Sequence, residues 1–160
     1  MIRVLFVCTA NICRSPMAEG IFKKLVAESG LGGMVEADSA GTSAMRLNEP
    51  PDPRTQRTAL RYGIDVSALR SRELRRTDYE QFDYLLAMDR TNYNYLRSLC
   101  PKGMEGKIYM TLEFAPFDDL SEVPDPYTAG EEGFDIVFQV LQVATRGLLA
   151  HIRKTNLLPA

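Results

Sequence analysis

Residues 3–7 form an apolar, β-branched-rich run with no polar alternation. That is the pattern of a short strand buried on both faces of a parallel sheet. From Ser15 the period changes: Met17, Ile21, Phe22, Leu25 and Val26 recur at spacings of three and four, which predicts a helix with one apolar face. Ser15 is a candidate N-cap, Pro16 suits a first helical turn, and Gly30, Gly32 and Gly33 end the helix. Further short strands are predicted at residues 34–37, 84–88 and 107–110, with helices at 54–62, 72–82 and 90–99. A last helix over residues 131–153 places Phe134, Val137, Phe138, Leu141, Ala144, Leu148 and Ile152 on one face.

Strands alternating with helices predict βαβ units. The expected fold is a single three-layer α/β domain spanning 1–160, with a central four-stranded parallel sheet and helices on both faces. No repeat or linker divides the chain, and the proline-rich stretch 50–53 reads as a rigid surface loop. A chain of 160 residues with 45% hydrophobic and 25% charged content fits one soluble domain. No apolar run reaches the roughly 18 residues of a membrane span, and the one near the start is too short for a signal peptide. Three cysteines, an odd number, argue for reduced thiols and a cytoplasmic setting.

Charge narrows the partners. With 19 basic and 21 acidic side chains the net charge is −2, which gives no general attraction to nucleic acid or anionic membranes. The arginines of residues 51–80 are largely offset by acids and read as solvated helix faces. Any bound anion must therefore be captured by a local site.

Such a site lies where the first strand runs into Cys8-Thr9-Ala10-Asn11-Ile12-Cys13-Arg14-Ser15-Pro16. In α/β folds ligands bind at the carboxyl ends of strands. A strand-loop-helix turn there presents successive backbone N–H groups beside a positive helix terminus, a cradle for phosphate. Cys8 in that field is favoured as a thiolate, hence a nucleophile. Arg14 closes the phosphate-binding loop with a planar guanidinium able to hold two phosphate oxygens. Ser15 can donate to the thiolate, cap the helix, or do both. Asn11 tolerates left-handed backbone geometry and reads as a scaffold residue.

The stretch Val7-Cys8-Thr9-Ala10-Asn11-Ile12-Cys13-Arg14-Ser15-Pro16-Met17-Ala18-Glu19 resembles the signature of the low-molecular-weight protein tyrosine phosphatases. Asp38-Ser39-Ala40-Gly41-Thr42, Asn48-Glu49-Pro50-Pro51-Asp52, Phe82-Asp83-Tyr84 with Met88-Asp89, and Asp125-Pro126-Tyr127 resemble its later blocks in the same order. The resemblance implies hydrolysis of phosphotyrosine proteins or small aryl phosphates through a cysteinyl-phosphate. It makes Asp125 the general acid, with no cofactor and no metal, in a monomer or weak dimer. It also implies a cleft lined by Ile12, Met45, Tyr127 and Thr128, and Ser39 and Asp89 are either supporting residues or ordinary strand ends. Cys13 is either a core thiol or, as in similar enzymes, a reversible disulfide partner of Cys8.

The chain departs from that family's pattern in places. Ala10 stands where many relatives have glycine, Met45 where an aromatic often lines the cleft, and Thr128 where some carry a second tyrosine. A histidine expected shortly after Ser67 is replaced by Ala68 and Leu69. The lone His151 lies in the last helix and reads as surface or packing. An arsenate reductase of the same fold needs a relay of resolving thiols, and Cys100 has no cysteine neighbour in sequence. A catalytically silent phosphotyrosine-binding module is expected to lack Cys8, Arg14 or Asp125, and all three are present.

Overall fold

The computed structural model describes residues 1–43, 45–156 and 158. Strand β1 (Ile2–Cys8) is an inner strand of a four-stranded sheet. It is flanked by β2 (Val35–Gly41) and β3 (Tyr84–Ala87), with β4 (Ile108–Met110) beyond β3, and every pairing is parallel. Alternate residues of β1 point to opposite faces, and both faces are covered. Val4, Phe6 and Cys8 enter the larger core beneath α1 (Arg14–Glu28), α2 (Pro53–Arg61) and the C-terminal helix. Leu5 and Val7 enter a smaller core with Tyr79, Leu85, Leu96 and Ile108. After Arg3, which is exposed at the strand's start, the unbroken apolar run of residues 4–7 is thus the trace of a strand buried on both faces.

On that second face lie α3 (Asp78–Gln81) and α4 (Arg90–Leu99). The last helix, α5 (Glu131–Thr155), carries its predicted apolar stripe into the larger core. Acidic residues in its first turn and Arg153 and Lys154 in its last complement the helix dipole. His151 packs among Tyr84, Tyr109 and Phe114. No helix among the described residues is long and apolar enough to cross a membrane.

Two expectations fail for the same physical reason. The second strand is longer than predicted, reaching Gly41, and the helix predicted over 72–82 shrinks to Asp78–Gln81. Gly41 donates to the Arg72 carbonyl and accepts from the Leu74 amide, so this segment runs beside the strand end instead of coiling. The Arg72 side chain reaches Asp38 and Asp78 in one buried-edge network, and Asp78 also accepts the Arg75 amide. Arg72 is therefore no solvated helix-face charge. The stretch before α2 is likewise more than a surface loop: Pro51 is buried and the Asp52 amide donates to the Ile12 carbonyl at 2.8 Å.

Candidate active site

The strand order β2-β1-β3 makes the carboxyl end of β1 the point where connections diverge to either side, and residues 8–15 curl there. Asn11 turns the loop with φ 59°, in the left-handed region. Ala10 is not among the positive-φ residues, so its β-carbon meets no backbone penalty where relatives carry glycine. No backbone carbonyl among the described residues accepts from the amides of residues 10–14, leaving these donors for an anion. Gly41 permits the approach of this loop to β2, because a β-carbon on it would lie 2.7 Å from the Thr9 carbonyl oxygen.

Hydrogen bonding inside the loop has a definite direction. The Glu19 carboxylate, buried and paired with Lys23, accepts from the Ser39 hydroxyl at 2.7 Å. Ser39 then has only its lone pairs for Asn11 Nδ2, at 2.9 Å, and the same amide donates to Ser15 Oγ at 2.7 Å. Asn11 Oδ1 accepts the Arg72 amide, which fixes the orientation of the side chain. Ser15 Oγ lies 2.9 Å from Cys8 Sγ, and its hydroxyl hydrogen is free to be donated to a Cys8 thiolate. Ser15 lies inside α1 with this bond and makes no N-cap; the helix starts from Cys13 without a side-chain cap. Ser39, Ser15 and the Arg72 backbone brace Asn11 without any histidine.

Arg14 is 2% exposed, unusual for a guanidinium. Nη1 donates to Asp89 at 2.8 Å and to the Val123 carbonyl at 3.0 Å, and Nη2 lies 3.7 Å from Asp125. Burial alone opposes its charge, but Cys8, Asp89 and Asp125 outweigh it and hold the guanidinium above its ordinary pKa. Asp89, at the end of β3, also caps α4 through the Asn92 amide. Asn92 in turn donates to Thr9 Oγ1 at 3.2 Å. Burial pushes the Cys13 thiol up to about 12, with Asp52, Cys8 and Asp125 adding to it.

These side chains line a pocket of about 230 Å³ formed by Cys8, Thr9, Ala10, Ile12, Cys13 and Arg14 at the base and Ser43, Met45, Arg46, Asp125 and Tyr127 at the wall. Asp125 is roughly half exposed and accepts the Tyr127 amide at 3.1 Å. The Tyr127 hydroxyl accepts from Arg46 at 2.9 Å, which stands the ring at the rim. Thr128, expected in the cleft, is exposed and does not line it, because a turn bonding Ala129 to Pro126 carries the backbone away. Sequence reasoning also missed Ser43, Arg46 and the buried Glu19. Arg46 gives no motif signal; a charged residue inside an apolar helix stripe was the available sign for Glu19. No group of three or more His, Cys, Asp or Glu among the described residues is placed to hold a metal ion.

Comparison with known proteins matches this geometry to one family. The family model described as low molecular weight phosphotyrosine protein phosphatase matches residues 3–157. The low molecular weight protein-tyrosine-phosphatase YfkJ of Bacillus subtilis is 42% identical over 154 residues, covering 96% of this chain and 97% of that protein. A low molecular weight protein-tyrosine-phosphatase of Streptomyces coelicolor is 40% identical over 95% of this chain and 94% of its own length. The crystal structure of a protein tyrosine phosphatase from Entamoeba histolytica with Hepes in the active site superposes with a TM-score of 0.93 at 35% identity, covering 98% of this chain and 99% of that one. With the matched region spanning the sheet, the loop of residues 8–15 and the segment carrying Asp125 alike, the chain belongs to the low molecular weight phosphotyrosine protein phosphatase family.

Proposed function

We propose that this chain is a protein-tyrosine-phosphatase that hydrolyses phosphotyrosine and related aryl monoesters through a cysteinyl-phosphate. The observation that carries the reading is the convergence of Cys8, Arg14 and Asp125 on one small pocket whose base is ringed by amides with no backbone acceptor. The Cys8 thiolate attacks phosphorus while the bond to the phenolic oxygen breaks. Asp125 gives its proton to that oxygen, and the alcohol leaves. A water then attacks the phosphocysteine, Asp125 takes its proton, and the sulfur–phosphorus bond breaks to release inorganic phosphate. Arg14 and the loop amides hold the equatorial oxygens throughout, and the Ser15 hydroxyl stabilises the departing thiolate.

Tyr127 and Met45 at the wall and Ile12 at the base offer an aryl ring its apolar contacts. The three free thiols fit action in the cytoplasm. Cys13 lines the same pocket as Cys8: a peroxide oxidises Cys8 to a sulfenic acid, and attack of the Cys13 sulfur on the Cys8 sulfur then forms the disulfide and expels the hydroxyl as water. An arsenate-reductase reading fares worse: Cys100 ends α4, a ten-residue helix that starts at the site and carries it about 15 Å away. The test is acid quenching of Asp125→Asn with an aryl phosphate, followed by mass spectrometry of the peptide holding Cys8. A phosphorylated Cys8 is expected; phosphate on any other residue, or none, overturns the mechanism.

A further inference from the structure

Asp125 has little of its own to hold it. Its carboxylate is about half exposed, and its contacts are one amide of its own turn and a 3.7 Å approach to Arg14. Position in general acid catalysis must be accurate to a fraction of an ångström, so something else sets where this loop sits.

We infer that Arg54 is the positioning residue for Asp125, tying the acid-bearing loop to the phosphate loop. The inference rests on the general-acid role proposed for Asp125. The Arg54 guanidinium is fixed by a fork: Nε and Nη2 donate to the two oxygens of Asp52 at 3.0 and 2.9 Å. Its remaining terminal nitrogen donates to the Ala129 carbonyl at 3.1 Å, four residues past Asp125. Its Cζ lies 4.5 Å from the centroid of the fully buried Phe134 ring and 5.4 Å from that of Tyr127. One side chain therefore touches the acid loop at two places, on the ring and on the backbone.

The other end of the same turn grips the nucleophile's loop. The Asp52 amide donates to the Ile12 carbonyl at 2.8 Å, and the Thr55 hydroxyl reaches the Cys13 carbonyl at 3.4 Å. Residues 52–55 thus form a short strut between the loop bearing Cys8 and the loop bearing Asp125. Arginine suits the position because its planar fork serves a carboxylate and a carbonyl at once while stacking on rings; lysine cannot do all three.

The test compares kcat/KM for phenyl phosphate, whose leaving oxygen needs a proton, with p-nitrophenyl phosphate, whose leaving oxygen needs it much less. Arg54→Gln and Arg54→Lys are measured alone and in an Asp125→Asn background. Asp125→Asn is expected to lose the roughly 10²–10⁴-fold of general acid catalysis on phenyl phosphate and less on the nitro ester. Each Arg54 variant alone is expected to lose about tenfold more on phenyl phosphate than on the nitro ester. Added to Asp125→Asn, it produces no further selective loss. Inhibition by inorganic phosphate stays unchanged, since the phosphate loop keeps its backbone bonds. A misfolded fraction lowers both substrates equally and leaves their ratio untouched, so equal losses overturn the inference. So does a selective loss that persists without Asp125. If Asp125→Asn itself shows no selectivity, the acid assignment fails first and this inference falls with it.

Discussion

The two halves of the pocket are built by opposite means. The phosphate loop is buried and over-determined: Cys8 and Arg14 are 3% and 2% exposed, and Asn11 alone makes bonds to Ser15, Ser39 and the Arg72 backbone. The acid loop is open, with Tyr127 at 44% exposure and Asp125 secured mainly through neighbours. The difference suits the tasks proposed for them. A transferring phosphoryl group needs donors already in place before charge develops. An acid that must meet the leaving oxygen and later a water has to admit both substrate and solvent.

The largest effect expected from breaking the rigid half is at Cys8, the proposed nucleophile. Cys8→Ser is expected to lower turnover of an aryl phosphate by roughly 10⁶-fold, the scale seen when a nucleophile is removed. Steady-state rates at saturating substrate check this, and near-full activity breaks the comparison outright. In the open half, Asp125→Asn is expected to cost roughly 10²–10⁴-fold in kcat/KM on phenyl phosphate. It is expected to leave the thermal midpoint nearly unchanged, because a half-exposed carboxylate contributes little to stability.

These halves also differ in how far the sequence disclosed them. A buried strand, a cysteine, an arginine six residues on and a Ser-Pro helix start are local, and physical reasoning about that loop reaches Cys8 and Arg14 unaided. Asp125 lies more than a hundred residues away in a segment that reads only as a turn, and only family resemblance placed it. The sheet was legible because β1 is buried on both faces over residues 4–7 and therefore shows no alternation there. The false helix at 72–82 and the overlooked Arg54 and Arg46 share one cause: charged residues whose partners are distant in sequence look solvated until the fold brings those partners together.

A gentler break separates scaffold from chemistry. Asn11→Ala places a β-branched-free but ordinary side chain at φ 59°, which costs about 1–2 kcal/mol, and removes buried hydrogen bonds worth about 1 kcal/mol each. The thermal midpoint is expected to fall by roughly 10 °C. kcat is expected to drop as well, since Ser15 loses the donor that orients its hydroxyl toward Cys8. Calorimetry and turnover on the same preparation separate the two effects. Arg46→Ala frees the Tyr127 ring and is expected to raise KM for phosphotyrosine a few-fold with kcat nearly kept, the mark of lost uniform binding.

The smallest effect concerns pH and tests how dry the rigid half is. Cys13 is raised from 9.0 to about 12, first by burial and then by Asp52, Cys8 and Asp125. Below pH 9 the thiol is protonated in both folded and unfolded chains, and its contribution to stability is fully present. Between pH 9 and 12 the unfolded chain releases the proton while the folded one retains it, so stability is lost as pH rises. Tyr79, whose hydroxyl is raised chiefly by burial, adds a loss of the same sign. Cys13→Ala removes the first contribution and leaves the second. Urea unfolding at intervals from pH 8 to 11 is therefore expected to give a shallower decline for the variant than for the native chain. Parallel declines would mean that Cys13 is solvated, and that the phosphate loop is as open as the acid loop it faces.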